Sequence, residues 1–468
     1  MSSYSISPNH NKDKVFILQK SNLDKRFDPI FYSHEFNEYE KKIVKKPFKK
    51  FNQILKTINN GFDFRDYKEF GTPYLKVANI RKGEFRFDKM QYIDFNSSEI
   101  TKNIQLKKGN ILLTRKGTFG YAVSLDQDYD YVISSEVFYI ELQQNEIISK
   151  FLEIFFNSKI GQAQFDKNKI GAIMGSLSQE AIRDLKIPVP STEIQNQIID
   201  IYSNYITQKQ QNEAEAEKLL ASIDAYLLNE LNIKFPIFNN NLKDRIFITN
   251  YKNSQDRLDP FFYKKGFKEI ENNILNSEWE TCLLQDVFQI NRGGSPRPIH
   301  NFYTDEEDGI NWIKIGDTKN TIKYITKTKQ KIKPEAVKFS RQVSPGDFVL
   351  SNSMSFGKPY IMKISGCIHD GWLLLSPKTN KTNNDYLYNI LSSDLIYQLF
   401  KKSTIGGVVD NLNIELVKKI RIPVPPIEKQ IEISDYISLI NKKAKELKDK
   451  TKIALKKANQ EIEDILLN

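Results

Sequence analysis

At 468 residues, with 40% hydrophobic and 12% aromatic side chains, the chain is long enough for two or three domains with their own cores and too apolar for wholesale disorder. No uninterrupted apolar run approaches the ~20 residues of a membrane span, and two cysteines, Cys282 and Cys367, make neither a disulfide framework nor a zinc site. Lys+Arg of 69 against Asp+Glu of 58 gives a formal charge of +11; this favours a polyanionic partner, and it equally fits a composition generally rich in Lys, Asn and Ile.

The first residues, MSSYSISPNHNKDK, are polar and lack the apolar stretch of a secretory signal, so a cytoplasmic location is expected. RFDPIFY (Arg26–Tyr32) reads as an Asp-Pro turn followed by aromatic core anchors. KKIVKKPFKK (Lys41–Lys50) fits either a phosphate-tracking run or a solvated face. Apolar residues then alternate in YLKVANI (Tyr74–Ile80), GNILLTR (Gly109–Arg115) and YVISSEVFYIEL (Tyr131–Leu142), which predicts strands, with a turn at Lys108–Asn110. FLEIFFNSKIGQAQF, from Phe151, predicts a helical stretch.

Proline fixes φ and pushes the residue before it out of the helical region, so IPVP (Ile187–Pro190) is expected to be extended and to end a sheet element. Ser191-Thr192-Glu193 is a fair helix start, with an acid in the first turn. Ile194, Ile198, Ile201, Tyr205, Leu219, Ile223 and Tyr226 then recur at helical spacing. The predicted helix, Ser191 to Asn229, would be roughly 58 Å long at about 1.5 Å per residue.

The second half repeats this plan. RLDPFFY (Arg257–Tyr263) matches RFDPIFY, WIKIGDT (Trp312–Thr318) matches YLKVANI, GDFVLSNSMSFG (Gly346–Gly357) matches GNILLTRKGTFG (Gly109–Gly120), and RIPVPPIEKQIEI matches KIPVPSTEIQNQI. The matches keep their order at a spacing of roughly 235 residues, far too long for a solenoid, so each unit is a whole domain with a trailing helix. NWIKIGD, GDFVLSN and CIHDGWLLLSP are predicted strands, the turn falls at Pro345–Asp347, and YLYNILSSDLIYQLF, from Tyr386, is a predicted helical stretch. The second long helix carries Ile433, Ile437, Ile440, Ala444, Leu447, Ala454, Ala458, Ile462 and Ile465 in steps of four and three, a coiled-coil seam. One such helix alone is poorly stable; packing two buries both stripes, and an antiparallel pairing would put the α+β units at opposite ends of a rod. Polar stretches such as QINRGGSPRPIHNF (Gln289–Phe302) lack a counterpart in the first half, as expected of two readers of different targets.

This order of unit, IPVP word, long helix, second unit, second IPVP word and second helix resembles the specificity subunit of type I restriction-modification enzymes, over nearly the whole chain. The resemblance rests on KIPVPSTEIQNQI, RIPVPPIEKQIEI and the Gly-Asn/Asp pattern at Gly109 and Gly346; the family more often has Pro-Pro before the helix, kept at Pro425-Pro426 but replaced by Pro190-Ser191 in the first copy. It implies an α+β fold: two tandem homologous DNA target-recognition domains separated and braced by two long antiparallel coiled-coil helices. The expected divisions are 1–190, 191–233, 234–425 and 426–468. Each domain would read one half of a split, asymmetric site in double-stranded DNA, and the helices would set the gap. Two methyltransferase subunits would dock around the helices and methylate adenine N6 with S-adenosylmethionine, and two ATP-driven translocase/nuclease subunits could join them. This chain would need no cofactor and perform no chemistry.

The residues agree with that last expectation. No Asn/Asp-Pro-Pro-aromatic tetrapeptide and no GxxxxGK[ST] loop occurs, Gly293 and Gly406 open lone Gly-Gly pairs, and His10, His34, His300 and His369 have no metal-ligand spacing. Base edges in the major groove select Arg or Lys for guanine, Asn or Gln for adenine and Ser or Thr for either. Candidate DNA-binding residues are Lys76, Asn79, Arg81, Arg115, Lys116 and Thr118 in the first unit, and Arg292, Ser295, Arg297, Lys314, Ser351, Asn352 and Ser353 in the second. Ordinary solvated loop or turn roles fit each residue singly. Two other functions stay open: a specificity subunit of another methyltransferase-based phage-defence system, and a two-domain coiled-coil adaptor that binds no DNA.

Overall fold

A computed structural model describes residues 11, 15–23, 29–88, 90–94, 105–143, 146–169, 175–238, 246, 248, 260–319, 321–352, 356–378, 381–405 and 411–467. The chain divides into two compact units, Met1–Glu213 with Lys448–Asn468, and Ala214–Leu447.

In the first unit a four-stranded sheet runs in the order Leu55–Asn60, Val137–Leu142, Ile111–Thr114, Ala122–Ser124. Strand side chains alternate between faces, so this sheet serves two cores. Ile111, Leu113, Phe138 and Ile140 join a cluster with the helices, while Leu112, Val123, Val137 and Tyr139 face a second cluster with Leu75, Ile80 and Ile133. Leu75 and Ile133 belong to a second four-stranded sheet, ordered Val132–Ile133, Thr72–Leu75, Gln91–Ile93, Tyr67–Lys68.

The second unit repeats the layers with an extra strand in each sheet. Its inner sheet runs Phe288–Arg292, Trp372–Pro377, Phe348–Ser351, Pro359–Met362, Tyr324–Ile325. Phe348, Leu350, Leu373 and Leu375 face the helices; Val349, Trp372 and Leu374 face the outer sheet. That outer sheet runs Tyr303–Thr304, Gln330–Ile332, Ile310–Ile313, Gly366–Ile368, Arg341–Val343. Even register is kept: Thr72–Leu75 pairs in parallel with Val132–Ile133 through Leu75 and Ile133, as Ile310–Ile313 pairs in parallel with Gly366–Ile368 through Ile313 and Ile368.

Both IPVP words enter short antiparallel pairs, Lys186–Pro188 with Phe48–Lys50 and Arg421–Pro423 with Thr281–Leu283, before the long helices Thr192–Glu230 and Ile427–Leu467 begin. Within the first unit Asn212 donates to Thr451 at 3.3 Å, and Ala458, Ile462 and Leu466 pack in one cluster with Ile198, Tyr202 and Tyr205. Within the second, Glu215 faces Lys443 at 3.9 Å, Tyr226 stacks on Tyr436 with ring centroids 4.2 Å apart, and Glu230 binds Lys429 at 2.5 Å. Numbers rise along one helix as they fall along the other, so in each unit the two helical segments are antiparallel.

Four predicted elements are shorter than periodicity suggested. YVISSEVFYIEL is two strands, Val132–Ile133 and Val137–Leu142, in different sheets, and CIHDGWLLLSP likewise splits between Gly366–Ile368 and Trp372–Pro377. The alternation hides the crossover because each break is a tight turn: Ser134 N–H donates to Leu75 and Val137 N–H back to Ser134, as His369 N–H donates to Ile313 and Trp372 N–H back to His369. The two shorter helical stretches each break once, at Ser158 and Ser393. Each serine caps the following helix, its hydroxyl accepting from the N–H of Gly161 at 3.3 Å and of Ile396 at 3.4 Å.

Of the two RxDPxFY words, 26–28 and 257–259 lie outside the described residues, whereas Pro29–Tyr32 and Pro260–Tyr263 form 3₁₀ turns with Tyr32 and Phe262 buried. Cys367 is buried against Trp312, and Cys282 is half-buried in its short strand; burial pushes both thiols up. Among the described residues no helix is long and apolar enough to cross a membrane.

Candidate nucleic-acid interface

Glycines in the left-handed region hold both ends of the repeated hairpin words. Gly109 and Gly346 adopt φ of +84° and +95°, and Gly120 and Gly357 adopt +81° and +78°, backbone values that a Cβ opposes. Gly109 N–H donates to Leu125 and Gly346 N–H to Met362; Gly120 N–H donates to Thr114 and Gly357 N–H to Ser351. Thr114 Oγ1 accepts from Tyr121 N–H at 2.8 Å, and Ser351 Oγ accepts from Lys358 N–H at 2.9 Å. Ser351 is thus the brace of a hairpin neck and is 2% exposed.

Two asparagines share that fate. Asn79 is buried; its Oδ1 accepts from Lys76 N–H at 3.1 Å and its Nδ2 donates to Arg86 O at 3.0 Å. Asn352 is buried as well, and its Oδ1 accepts from Leu412 N–H at 3.0 Å. Asn79, Ser351 and Asn352 therefore do not present base-reading groups to solvent, contrary to expectation. The residue types that read bases are also those that stitch turns. Ser353 lies outside the described residues.

The remaining candidates reach the surface to differing degrees. Arg81 donates to Val77 O at 3.4 Å and Ile80 O at 2.9 Å. Arg115 donates to Leu177 O at 3.3 Å and Ser135 O at 3.4 Å, and its guanidinium lies 5.6 Å from the Phe138 ring. Both are half-buried. Lys116 and Thr118 flank Gly117, with φ of +74°, on the exposed hairpin tip.

In the second unit Arg292 is exposed at the end of Phe288–Arg292. Asp370 gathers the next two candidates: Ser295 Oγ donates to Oδ1 at 2.9 Å and Arg297 Nη2 to Oδ2 at 3.2 Å. Burial would raise the Asp370 carboxyl, but the bonds from Ser295 and its own backbone, with His369 and Arg297, hold it below the usual range. Lys314, following Ile310–Ile313, binds the side chain of Gln330 and lies 6.0 Å from the Tyr303 ring centroid. Lys76, following Thr72–Leu75, donates to Gln91 Oε1 at 3.1 Å and Tyr67 Oη at 3.2 Å.

In the lysine run 41–50, Lys49 pairs with Glu146, Lys50 with Asp184 at 3.0 Å and Lys41 with Glu38 at 3.0 Å, so three of its charges are met within the unit. Among the described residues no cluster of three or more His, Cys, Asp or Glu could hold a metal.

Two glutamines escaped sequence reasoning although they stand in the quoted words. Gln195 accepts from Ile148 N–H at 2.9 Å and donates to Glu146 O at 2.8 Å and Pro190 O at 3.1 Å. Gln430 accepts from Asn383 N–H at 2.8 Å and donates to Lys381 O at 3.2 Å and Pro425 O at 2.7 Å. Each fixes the exit of an IPVP word against the loop that opens a shorter helix. Their signal was a glutamine at the same place in STEIQ and PIEKQ.

Residues 49–221 and 276–457 match the family model described as the type I restriction modification DNA specificity domain. A putative type I restriction enzyme MjaX specificity subunit of Methanocaldococcus jannaschii is 22% identical over 88% of this chain and 91% of its own length. The type I restriction enzyme MjaVIII specificity subunit of the same organism is 22% identical over 84% of this chain and 85% of its own. A chain from a structure describing assembly and conformational transition of a type I restriction-modification system covers 90% of this chain and 96% of that chain at 15% identity, with a TM-score of 0.53; that likeness is one of fold.

Proposed function

Because the chain belongs to the type I restriction-modification DNA specificity family, we propose that each α+β unit reads one half of a split, asymmetric site in double-stranded DNA. The family match over both copies supports the broader statement, a type I specificity subunit. In the finer reading, residues 1–190 and 234–425 are the readers, and 191–233 and 426–468 set the unread gap. Two methyltransferase subunits dock around the helices and methylate adenine N6; S-adenosylmethionine and ATP belong to partner subunits, and this chain contributes recognition without chemistry.

The observation that carries the reading is one scaffold built twice, in matching strand order, bearing different polar loops. Identical scaffolds give two sites the same approach to a duplex, and differing loops give them different targets. Lys116 and Thr118 of the first unit, and Arg292 and Arg297 of the second, have the exposure and chemistry for groove contacts, with Ser295 half-buried beside Arg297 on Asp370. Arg81 and Arg115 serve beside them from more tethered positions. Asn79, Ser351 and Asn352 are left to the scaffold.

Methylation-aware sequencing tests this reading, in cells carrying the chain with its candidate methyltransferase and in cells lacking only the chain. A split motif bearing methyladenine on both strands, lost without the chain, is the expected result. Unchanged methylation, with both proteins expressed and bound to each other, would leave the two-domain adaptor as the better description.

A further inference from the structure

Lys76 and Lys314 occupy the same place in the two copies. Each directly follows a strand of the outer sheet, and each gives its backbone N–H to the side chain three residues on, Asn79 at 3.1 Å and Asp317 at 2.9 Å. Each ammonium binds a glutamine side chain on the neighbouring antiparallel strand, Gln91 in one unit and Gln330 in the other. Those glutamines stand in equivalent register, Gln91 opposite Tyr74 and Gln330 opposite Trp312. Each ammonium also lies over a tyrosine of the third strand, 4.9 Å from the centroid of Tyr67 and 6.0 Å from that of Tyr303. The tyrosines match too, Tyr67 opposite Ile93 and Tyr303 opposite Ile332.

The hydrogen-bond partners of these two ammonium groups are neutral. Elsewhere lysines meet acids: Lys56 with Glu141, Lys107 with Asp128 and Lys323 with Asp385 are examples. Among the described residues neither Lys76 nor Lys314 has a carboxylate within ion-pair distance. A glutamine oxygen and a ring face fix an ammonium in position without cancelling its charge, so the field reaches an external anion. On the reading of two units with different half-sites, a lysine–glutamine–tyrosine trio present in both cannot discriminate between those sites. What it can hold is what every half-site has in common, the phosphodiester backbone. We infer that Lys76 and Lys314 are preformed clamps, each for one DNA phosphate in its own half-site, positioned by Gln91 and Gln330. This rests on the DNA-reading function proposed above.

The test is the salt dependence of binding by the full chain with its methyltransferase subunits, on a duplex with the methylated motif and on a scrambled one. K76Q and K314Q are each expected to weaken binding to both duplexes by a similar factor. Each is also expected to make the slope of log K against log salt shallower by about 0.9, so that raising salt from about 50 to 200 mM costs roughly 3.5-fold less affinity than in the unaltered complex. K76R and K314R should keep the original slope. Q91E and Q330E leave the lysine in place but pair it with a carboxylate, and they should reproduce the shallower slope. Loss confined to the motif duplex would overturn the inference in favour of base reading. Unchanged slopes in K76Q, K314Q, Q91E and Q330E would reduce both trios to internal braces. Failure of the DNA-reading function itself would be visible earlier, as an unaltered complex that does not prefer the motif duplex.

Discussion

His369 sits in the turn where the second unit's chain crosses from outer to inner sheet, with Trp312 and Trp372 near its ring at centroid distances of 6.2 and 6.3 Å. Its Nε2 faces Ile315 N–H at 3.2 Å and its Nδ1 faces Gly371 N–H at 2.7 Å. An imidazolium accepts at neither nitrogen. Burial, the largest influence, holds the pKa below the ordinary 6.5; Asp370 and Asp317 pull it up and Lys314 pushes it down. The unfolded chain therefore takes up this proton before the folded one does. The stabilisation from a neutral His369 is complete above the ordinary value and declines as pH falls below it. Thermal melting from about pH 7.5 to 5.5 should show a falling midpoint whose pH dependence flattens in H369N; an unaltered slope in that variant would remove His369 as the cause. Residue identity was a poor guide to exposure at this scale. Arg292 and Lys116 are exposed, whereas the buried amide of Asn79 closes a local turn onto Arg86 and that of Asn352 holds the distant Leu412 N–H. For Asn352 the partner lies 60 residues away, where spacing along the chain carries no signal.

Elements were far more legible, because their signals are local and periodic. The expected helix from Ser191 to Asn229 is Thr192–Glu230, and the short strands Lys186–Pro188 and Arg421–Pro423 end within the IPVP words, as expected. Period-two alternation failed at the crossovers, where a tight turn between two short strands carries the chain from one sheet to the other. The least legible feature was the junction between each α+β unit and its long helix, where Gln195 and Gln430 are 1% and 0% exposed. Replacing either by leucine leaves one N–H and two carbonyls without their side-chain partner in a buried setting. Q195L and Q430L are each expected to cost about 2–3 kcal/mol, read as a lower midpoint in denaturant unfolding. A loss below about 0.5 kcal/mol, the level of an ordinary surface substitution, would mean that water replaces the side chain and that the junction is not locked by it.

At the scale of the whole molecule, duplication was the strongest signal in the sequence, and the structure extends it from matched words to matched layers, strand orders and registers. The assignment of helix segments to cores was hidden, since it depends on long-range packing: the last helical residues, Ala458, Ile462 and Leu466, complete the core of the first unit. The first α+β unit up to its long helix is nonetheless one continuous stretch, which makes exchange practicable. Residues 49–190 can be replaced by the corresponding stretch of a relative with a different methylated motif, both long helices being retained. Methylation-aware sequencing of cells carrying this chimera with the methyltransferase is the decisive measurement. The expected motif keeps one half and the gap of the original and takes the other half from the donor. A motif altered in both halves, or in neither while methylation persists, would contradict one reader per half-site.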